Sequence, residues 1–156
     1  MGKIAAILIT LFLAPTLFAQ TSSGVQTASV TLSSPQLLNL RATPVQLIAA
    51  PGAGNIIKPL SITLHYKAGS TFYSSSDGNF AIGTPALPGA AHGPGGGFID
   101  QPNDQMAYVD GFAGAFGSRS MFENQPIIVQ QNGSTEWTGG DGTVVINVSY
   151  TIVTLQ

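Results

Sequence analysis

Three aspartates are the side chains whose type and spacing most directly suggest chemistry. Asp100, Asp104 and Asp110 follow one another closely, with amide side chains between them. Carboxylate and amide oxygens are ligands that Ca²⁺ prefers, although this spacing does not match an EF-hand loop. Two carboxylates facing each other across a cleft are also what a glycoside hydrolase needs. Solvated loop acids are the favoured interpretation, and calcium binding and secreted hydrolase activity are the alternatives.

Histidines offer little for a metal or nucleophile site. His65 and His92 are the two histidines, and the chain has no cysteine. A zinc site needs three or four nitrogen, sulfur or carboxylate ligands, which makes such a site a poor fit. Serine, histidine and aspartate are all present, but no Gly-x-Ser-x-Gly nucleophile elbow occurs. We therefore predict no catalytic residue, no metal site, no bound cofactor and no enzymatic activity.

Aromatic residues close to glycines are the better candidates for a binding surface. Exposed aromatic rings can stack on sugars or enter a pocket on a protein partner. The candidate surface-binding residues are Phe98, Phe112, Phe116 and Trp137. Packing in the core is the favoured interpretation even for these four, because large aromatic side chains are mostly buried in folded domains, and the binding surface is the alternative.

Composition excludes several classes of partner. Charged residues make up 8 % of the 156 residues, with five Lys and Arg against seven Asp and Glu. This balance provides no basic patch for a phosphate backbone, so we predict no nucleic-acid binding. The lack of cysteine excludes disulfides, so stability has to come from a packed core, for which the chain is long enough.

The N-terminus has the pattern of a secretory signal peptide over residues 1–19. Lys3 precedes an apolar run from Ile4 to Leu13, and Ala19 stands before a predicted cut ahead of Gln20. A retained membrane anchor is the alternative, but a spanning helix needs about 20 apolar residues. We expect a secreted, periplasmic or cell-surface protein with no membrane span after the signal is removed. Residues 20–28 are predicted to be a linker.

Alternating apolar and polar residues dominate the rest of the chain. The pattern is clearest in Leu60–Lys67 and Val144–Val153, and it predicts strands with one buried face. Ser33 followed by Pro35 predicts the start of one short helix, and residues 83–105 are predicted to form a long Gly/Pro-rich loop. Seven to nine short strands predict an all-β fold, a single β-sandwich or jelly-roll domain over residues 29–156.

Two segments resemble sequences of small bacteriophage virion-associated β-domain proteins. They are residues 37–54, from Leu37 to Gly54, and the C-terminal part that contains Asn124–Ile127, Thr138–Val144 and Tyr150. The resemblance covers roughly residues 30–156. It implies a structural or adhesive role without known catalytic residues. A signal peptide does not fit a virion protein assembled in the cytoplasm, which favours an exported bacterial relative of the phage domain.

These observations favour an exported, non-enzymatic β-sandwich that assembles with itself or binds a cell-surface or glycan partner. Low surface charge lowers the cost of burying a face against a partner. A phage virion decoration or tail-associated protein is one alternative. A secreted hydrolase that uses the loop carboxylates is the other.

Overall fold

A computed structural model describes residues 24–74 and 77–156. The predicted signal peptide, residues 1–19, lies outside the described residues, as do the first residues of the predicted linker. The first strand starts at Gln26, so residues 26–28 belong to the sheet and not to the linker. Their side chains alternate between half-buried and exposed, which is the pattern of a strand.

The regular secondary structure of the described residues is almost entirely β, which confirms the predicted fold class. The strands are β1 Gln26–Leu32, β2 Val45–Ile48, β3 Asn55–Lys67, β4 Tyr73–Ser74, β5 Phe80–Thr84, β6 Leu87–Gly93, β7 Gln105–Asp110, β8 Ile127–Gln131, β9 Thr138–Gly139 and β10 Thr143–Thr154. One short helix, α1 Ser34–Leu37, and one 3-10 turn, Arg119–Met121, complete the elements.

The strands pair as one long hairpin with nested arms. β1 pairs with β10, β2 with β8, β3 with β7 and β5 with β6, all antiparallel. The arms fold over into two four-stranded sheets of order β1-β10-β3-β7 and β2-β8-β5-β6. Eight antiparallel strands in two such sheets form a jelly roll. The strands β4 and β9 add a small two-stranded ribbon.

The core lies between the inner faces of the two sheets. Alternate residues of β3 and β10 are buried, including Leu64 on β3 and Ile146 on β10, which are register partners. From the other sheet, Ile82 and Val129 join the same apolar cluster. A slip by one residue would turn each buried side chain towards water, so this alternation fixes the strand register.

Helix α1 begins where the sequence predicts. The backbone N–H of Ser33 donates to Oε1 of Gln36 at 2.9 Å, which satisfies one of the free donors at the helix start. Pro35 lies in the first turn, where its missing N–H costs nothing. Leu37 is fully buried and anchors the helix on the core.

The predicted long loop over residues 83–105 is wrong in its first half. β6 occupies Leu87–Gly93 and pairs with β5 through a tight connection. β6 is an edge strand, and an edge is where a sheet tolerates a proline because one side of the strand needs no ladder donor. Pro88 therefore does not interrupt the strand. Irregular structure is confined to residues 94–104, between β6 and β7.

Antiparallel pairing sends the connections to two opposite ends of the sandwich. The upper end carries residues 33–44, 68–74 with 77–79, 94–104 and 132–142. The lower end carries residues 49–54, 85–86 and 111–126, together with the start of β1 and the end of β10. Within residues 24–74 and 77–156, no helix has the length and apolar character to cross a bilayer.

Candidate functional site

Carboxylates brace the connections of the upper end. Oδ2 of Asp77 accepts hydrogen bonds from the hydroxyl of Ser134 at 2.6 Å and from the backbone N–H of Thr135 at 3.3 Å. Asp141 accepts from the hydroxyl of Ser70 and from the backbone N–H of Thr71. The bonds from the two serines are the main reason that the pKa values of Asp77 and Asp141 lie below their ordinary range. Both carboxylates therefore act as anchors for loop backbone.

Two glutamates also accept hydrogen bonds from loop backbone, one at each end of the sandwich. At the upper end, Glu136 accepts from the backbone N–H groups of Arg41 and Ala42 at 3.0 and 2.7 Å. At the lower end, Glu123 accepts from the Gly54 N–H at 2.9 Å and pairs with Arg119 at 2.6 Å. The Arg119 guanidinium is the leading cause that lowers the pKa of Glu123. Both glutamates therefore hold loop backbone in place, as Asp77 and Asp141 do.

The structure does not bring the three candidate aspartates together. Asp104 precedes β7 and Asp110 ends it, so a six-residue strand separates them. At about 3.4 Å per residue, this is roughly 20 Å. A shared Ca²⁺ needs oxygens about 2.3–2.6 Å from the ion, and a hydrolase pair lies within about 10 Å. Asp104 also accepts the Ala68 N–H at 2.9 Å. The geometry therefore excludes a calcium or hydrolase site that uses both Asp104 and Asp110.

Neither histidine belongs to a cluster of ligands. His65 lies on β3, with Nε2 3.6 Å from Oδ2 of Asp104. His92 lies on β6, in the other sheet, and one ring nitrogen is 3.1 Å from the Gly89 carbonyl oxygen. Among the described residues, no group of three or more His, Cys, Asp or Glu side chains is arranged to hold a metal ion.

Two of the four candidate aromatic residues are core residues. Trp137 is 2 % exposed, and its ring centroid lies 4.8 Å from that of Phe80. Phe98 is 3 % exposed and packs edge-on against the same Phe80. The glycines near Phe98 and Trp137 correctly indicate irregular segments, but both side chains point into the core. Burial therefore removes Phe98 and Trp137 from the predicted binding surface.

Phe112 and Phe116 remain, and both lie at the lower end. Phe112 is partly buried against the core, and Phe116 is 89 % exposed. Five other large apolar side chains are exposed and were not among the predicted binding residues: Val25, Leu60, Phe72, Met106 and Tyr108. Met106 and Tyr108 take alternate positions on β7, opposite to Ala107 and Val109 on the inner face. Strand alternation in Gln105–Asp110 could have identified this pair.

An open groove of about 510 Å³ lies beyond the end of β7, beside the first half of β3, which has no β7 partner. Pro59 lies beyond the last β3–β7 register pair, Ser61 with Asp110, and has no N–H to offer a further ladder bond. Gly111, the residue after Asp110, packs directly against Pro59. A Cβ added at Gly111 would lie 2.1 Å from the Pro59 carbonyl oxygen, so the position has no room for a side chain. Phe112 and Phe122 form apolar walls of the groove.

A smaller hollow of about 280 Å³ lies on the other side of the same loop. Ala113 and Ala115 line both spaces, whereas Phe116 lines the smaller one only. Phe116 is therefore not part of the wall of the larger groove. The lower end thus presents an apolar knob and an apolar groove side by side.

Comparisons with known proteins add one structural likeness. No protein-family model matches the chain, and none of the curated proteins matches it. A solved structure described as "Cyanophage Pam1 capsid asymmetric unit" aligns with 92 % of this chain and 93 % of that chain, at 13 % sequence identity and a TM-score of 0.49.

Proposed function

We propose that this chain is a non-enzymatic structural jelly-roll protein that assembles with copies of itself. The observation that carries the proposal is the lower end, where Phe116 stands 89 % exposed beside an open apolar groove. A contact that buries both removes apolar surface from water, which is the main driving force of association.

The two parts of the lower end predict the symmetry of the assembly. Phe116 and the groove are different surfaces, so insertion of one into the other is a head-to-tail contact, which produces a ring or an open chain. A phenylalanine buries about 150–250 Å², whereas a stable interface needs about 800 Å² on each partner. Phe116 therefore acts as an anchor, and neighbouring surface of the lower end has to supply the remaining area.

Light scattering coupled to size exclusion tests this proposal on the purified protein. We expect a defined oligomer for the wild type and a shift towards monomer for Phe116→Ser. The matched control is Phe72→Ser, which removes a ring that is 56 % exposed at the upper end and should leave the mass unchanged. A wild-type monomer at every concentration, or an equal effect of both substitutions, contradicts the proposal.

The first residue of the mature protein distinguishes an exported protein from a virion protein assembled in the cytoplasm. The apolar run after Lys3 supports our proposal that the protein is exported to the periplasm, the cell surface or the medium. Mass spectrometry of the mature protein should then find an N-terminus at or near Gln20. An N-terminus at Met1 or Gly2 instead supports the cytoplasmic virion setting and contradicts export.

A further inference from the structure

The outer face of the sheet β1-β10-β3-β7 carries three rows of side chains that cross all four strands. The register aligns Ser29, Asn147, Thr63 and Tyr108 in the middle row. The two flanking rows are Thr31, Val145, His65, Met106 and Thr27, Ser149, Ser61, Asp110. None of these twelve side chains is buried. With strands about 4.8 Å apart and rows about 7 Å apart, the face spans roughly 14 Å in each direction.

This face is almost free of charge and rich in groups that form hydrogen bonds. Asp110, in one corner, is the single acidic member of the twelve, and no Lys or Arg is among them. Six serine and threonine hydroxyls, the Tyr108 hydroxyl and the Asn147 amide provide both donors and acceptors. Asn147 Nδ2 donates to the Thr63 hydroxyl at 3.4 Å, which orients the amide in the middle row. Such a surface matches a ligand that is itself uncharged and made of hydroxyl groups.

Tyr108 adds an aromatic platform at the edge of the face. Its side chain is 80 % exposed, although tyrosine would usually cover part of its ring. The ring stands at the end of the middle row, beside Thr63. An exposed ring beside hydroxyl and amide groups can stack on the apolar face of a sugar while the polar groups bond to its hydroxyls.

We propose that this outer face, which we call the sugar face, binds a neutral polysaccharide, with Tyr108 as the stacking residue and Thr63 and Asn147 as hydrogen-bonding residues. The near absence of charge selects neutral chains over anionic ones. Asp110, at one corner of the sugar face, also lines the groove of the lower end, but Tyr108, Thr63 and Asn147 do not. These three residues can therefore bind a ligand whether or not the protein assembles through Phe116.

Affinity electrophoresis in native gels tests the sugar face with purified protein. The probes are soluble neutral polysaccharides cast in the gel: dextran, yeast mannan, xylan and hydroxyethylcellulose, with alginate as the anionic comparison. We expect at least one neutral probe to retard the wild type and alginate to have no effect. Tyr108→Ala should weaken the retardation about tenfold, in line with the energy of an aromatic stacking contact.

Two further variants separate binding from folding and from assembly. Asn147→Asp places a carboxylate in the middle row and should weaken retardation as Tyr108→Ala does, with an unchanged circular dichroism spectrum. Phe116→Ser, at the lower end, should leave retardation unchanged. The oligomeric mass of the wild type tests the assembly proposal, and retardation in the gels tests polysaccharide binding. Each proposal can therefore fail without the other.

Three results overturn the inference. The first is no retardation of the wild type by any neutral probe, or retardation by alginate alone. The second is equal retardation of the wild type and Tyr108→Ala. The third is a change of oligomeric mass in Asn147→Asp, which would identify this face as a contact between copies of the chain.

Discussion

Substitution of Trp137 by phenylalanine tests the inward placement of the connection between β8 and β10. The indole is 2 % exposed and lies against Phe80. Its Nε1–H donates to the Asp77 carbonyl oxygen at 2.9 Å, which ties this connection to the one between β3 and β5. If this placement is correct, Trp137→Phe destabilises the fold although it keeps an aromatic ring at the position.

The cost of Trp137→Phe has two parts. Loss of the hydrogen bond costs about 1 kcal/mol. The Asp77 carbonyl oxygen is not left unpaired, because the Gln131 side chain also donates to it at 2.9 Å. The smaller ring leaves a cavity next to Phe80, which costs about 1 kcal/mol more. We therefore expect the free energy of unfolding to fall by about 2 kcal/mol, below the range of about 3–5 kcal/mol for complete truncation of a buried aromatic.

Urea unfolding followed by far-ultraviolet circular dichroism measures this difference. Fluorescence cannot compare the two proteins, because Trp137 is the single tryptophan of the chain. The control is Phe116→Ser, a change of an exposed residue that should stay within about 0.5 kcal/mol. Both variants should be compared at a concentration where assembly does not differ, since assembly raises apparent stability. A cost below about 0.5 kcal/mol for Trp137→Phe would refute the assignment of the indole to the core.

Three other predictions concern the ionisable groups and one turn. The folded-state pKa of Asp77 lies below its ordinary value of 3.8, so the ionised carboxylate stabilises the fold. This stability is lost as pH falls below about 4. The melting temperature of Asp77→Asn should therefore decline less between pH 6 and pH 3 than that of the wild type. Burial raises the pKa of Tyr66 above its ordinary 10.0, so stability is lost as pH rises beyond 10. Its hydroxyl makes no hydrogen bond of good geometry among the described residues and only a weaker contact with the Gly69 backbone. Tyr66→Phe should therefore cost less than about 1 kcal/mol at pH 7 and reduce the alkaline loss in thermal melts. Gly140→Ala should lower the free energy of unfolding by about 2–4 kcal/mol in urea, because φ is +84° and the added Cβ would lie 2.4 Å from the Tyr73 side chain. The control is Gly54→Ala, which has φ +75° but no atom within 4 Å of the added Cβ and should cost about 1–2 kcal/mol. Equal costs for the two variants would contradict a clash with Tyr73.

Strand alternation identified the elements of the sandwich but not their partners. The pattern in Leu60–Lys67 and in Val144–Val153 shows that each segment has one buried face. It does not show that β3 and β10 lie side by side, because pairing depends on contacts between segments far apart in the chain. Each strand could satisfy the same alternation against several neighbours. The nested order became visible only when all the pairs were known.

The binding candidates show a similar division. Glycine beside an aromatic residue identified irregular segments correctly, yet it did not predict the direction of the side chain. Trp137 turns inwards because Asp77 bonds to the backbone of residues 134 and 135 and, through its carbonyl, to the indole itself. That bond joins residues about sixty positions apart, and no local pattern around Trp137 encodes it.

The two ends of the sandwich differ because they use the few charges of the chain differently. Four carboxylates, Asp77, Asp104, Glu136 and Asp141, bond to backbone N–H groups of upper-end connections. These bonds satisfy donors that the connections would otherwise expose or bury without partners. At the lower end, Glu123 is the one carboxylate with such a bond among the described residues. Phe116 at this end is 89 % exposed, whereas Phe72 at the upper end is 56 % exposed. Connections fixed by carboxylates serve the fold, and the end whose phenylalanine is more exposed gains most from a partner. The lower end is therefore where assembly should be sought, and the uncharged outer sheet is where a soluble ligand should be sought.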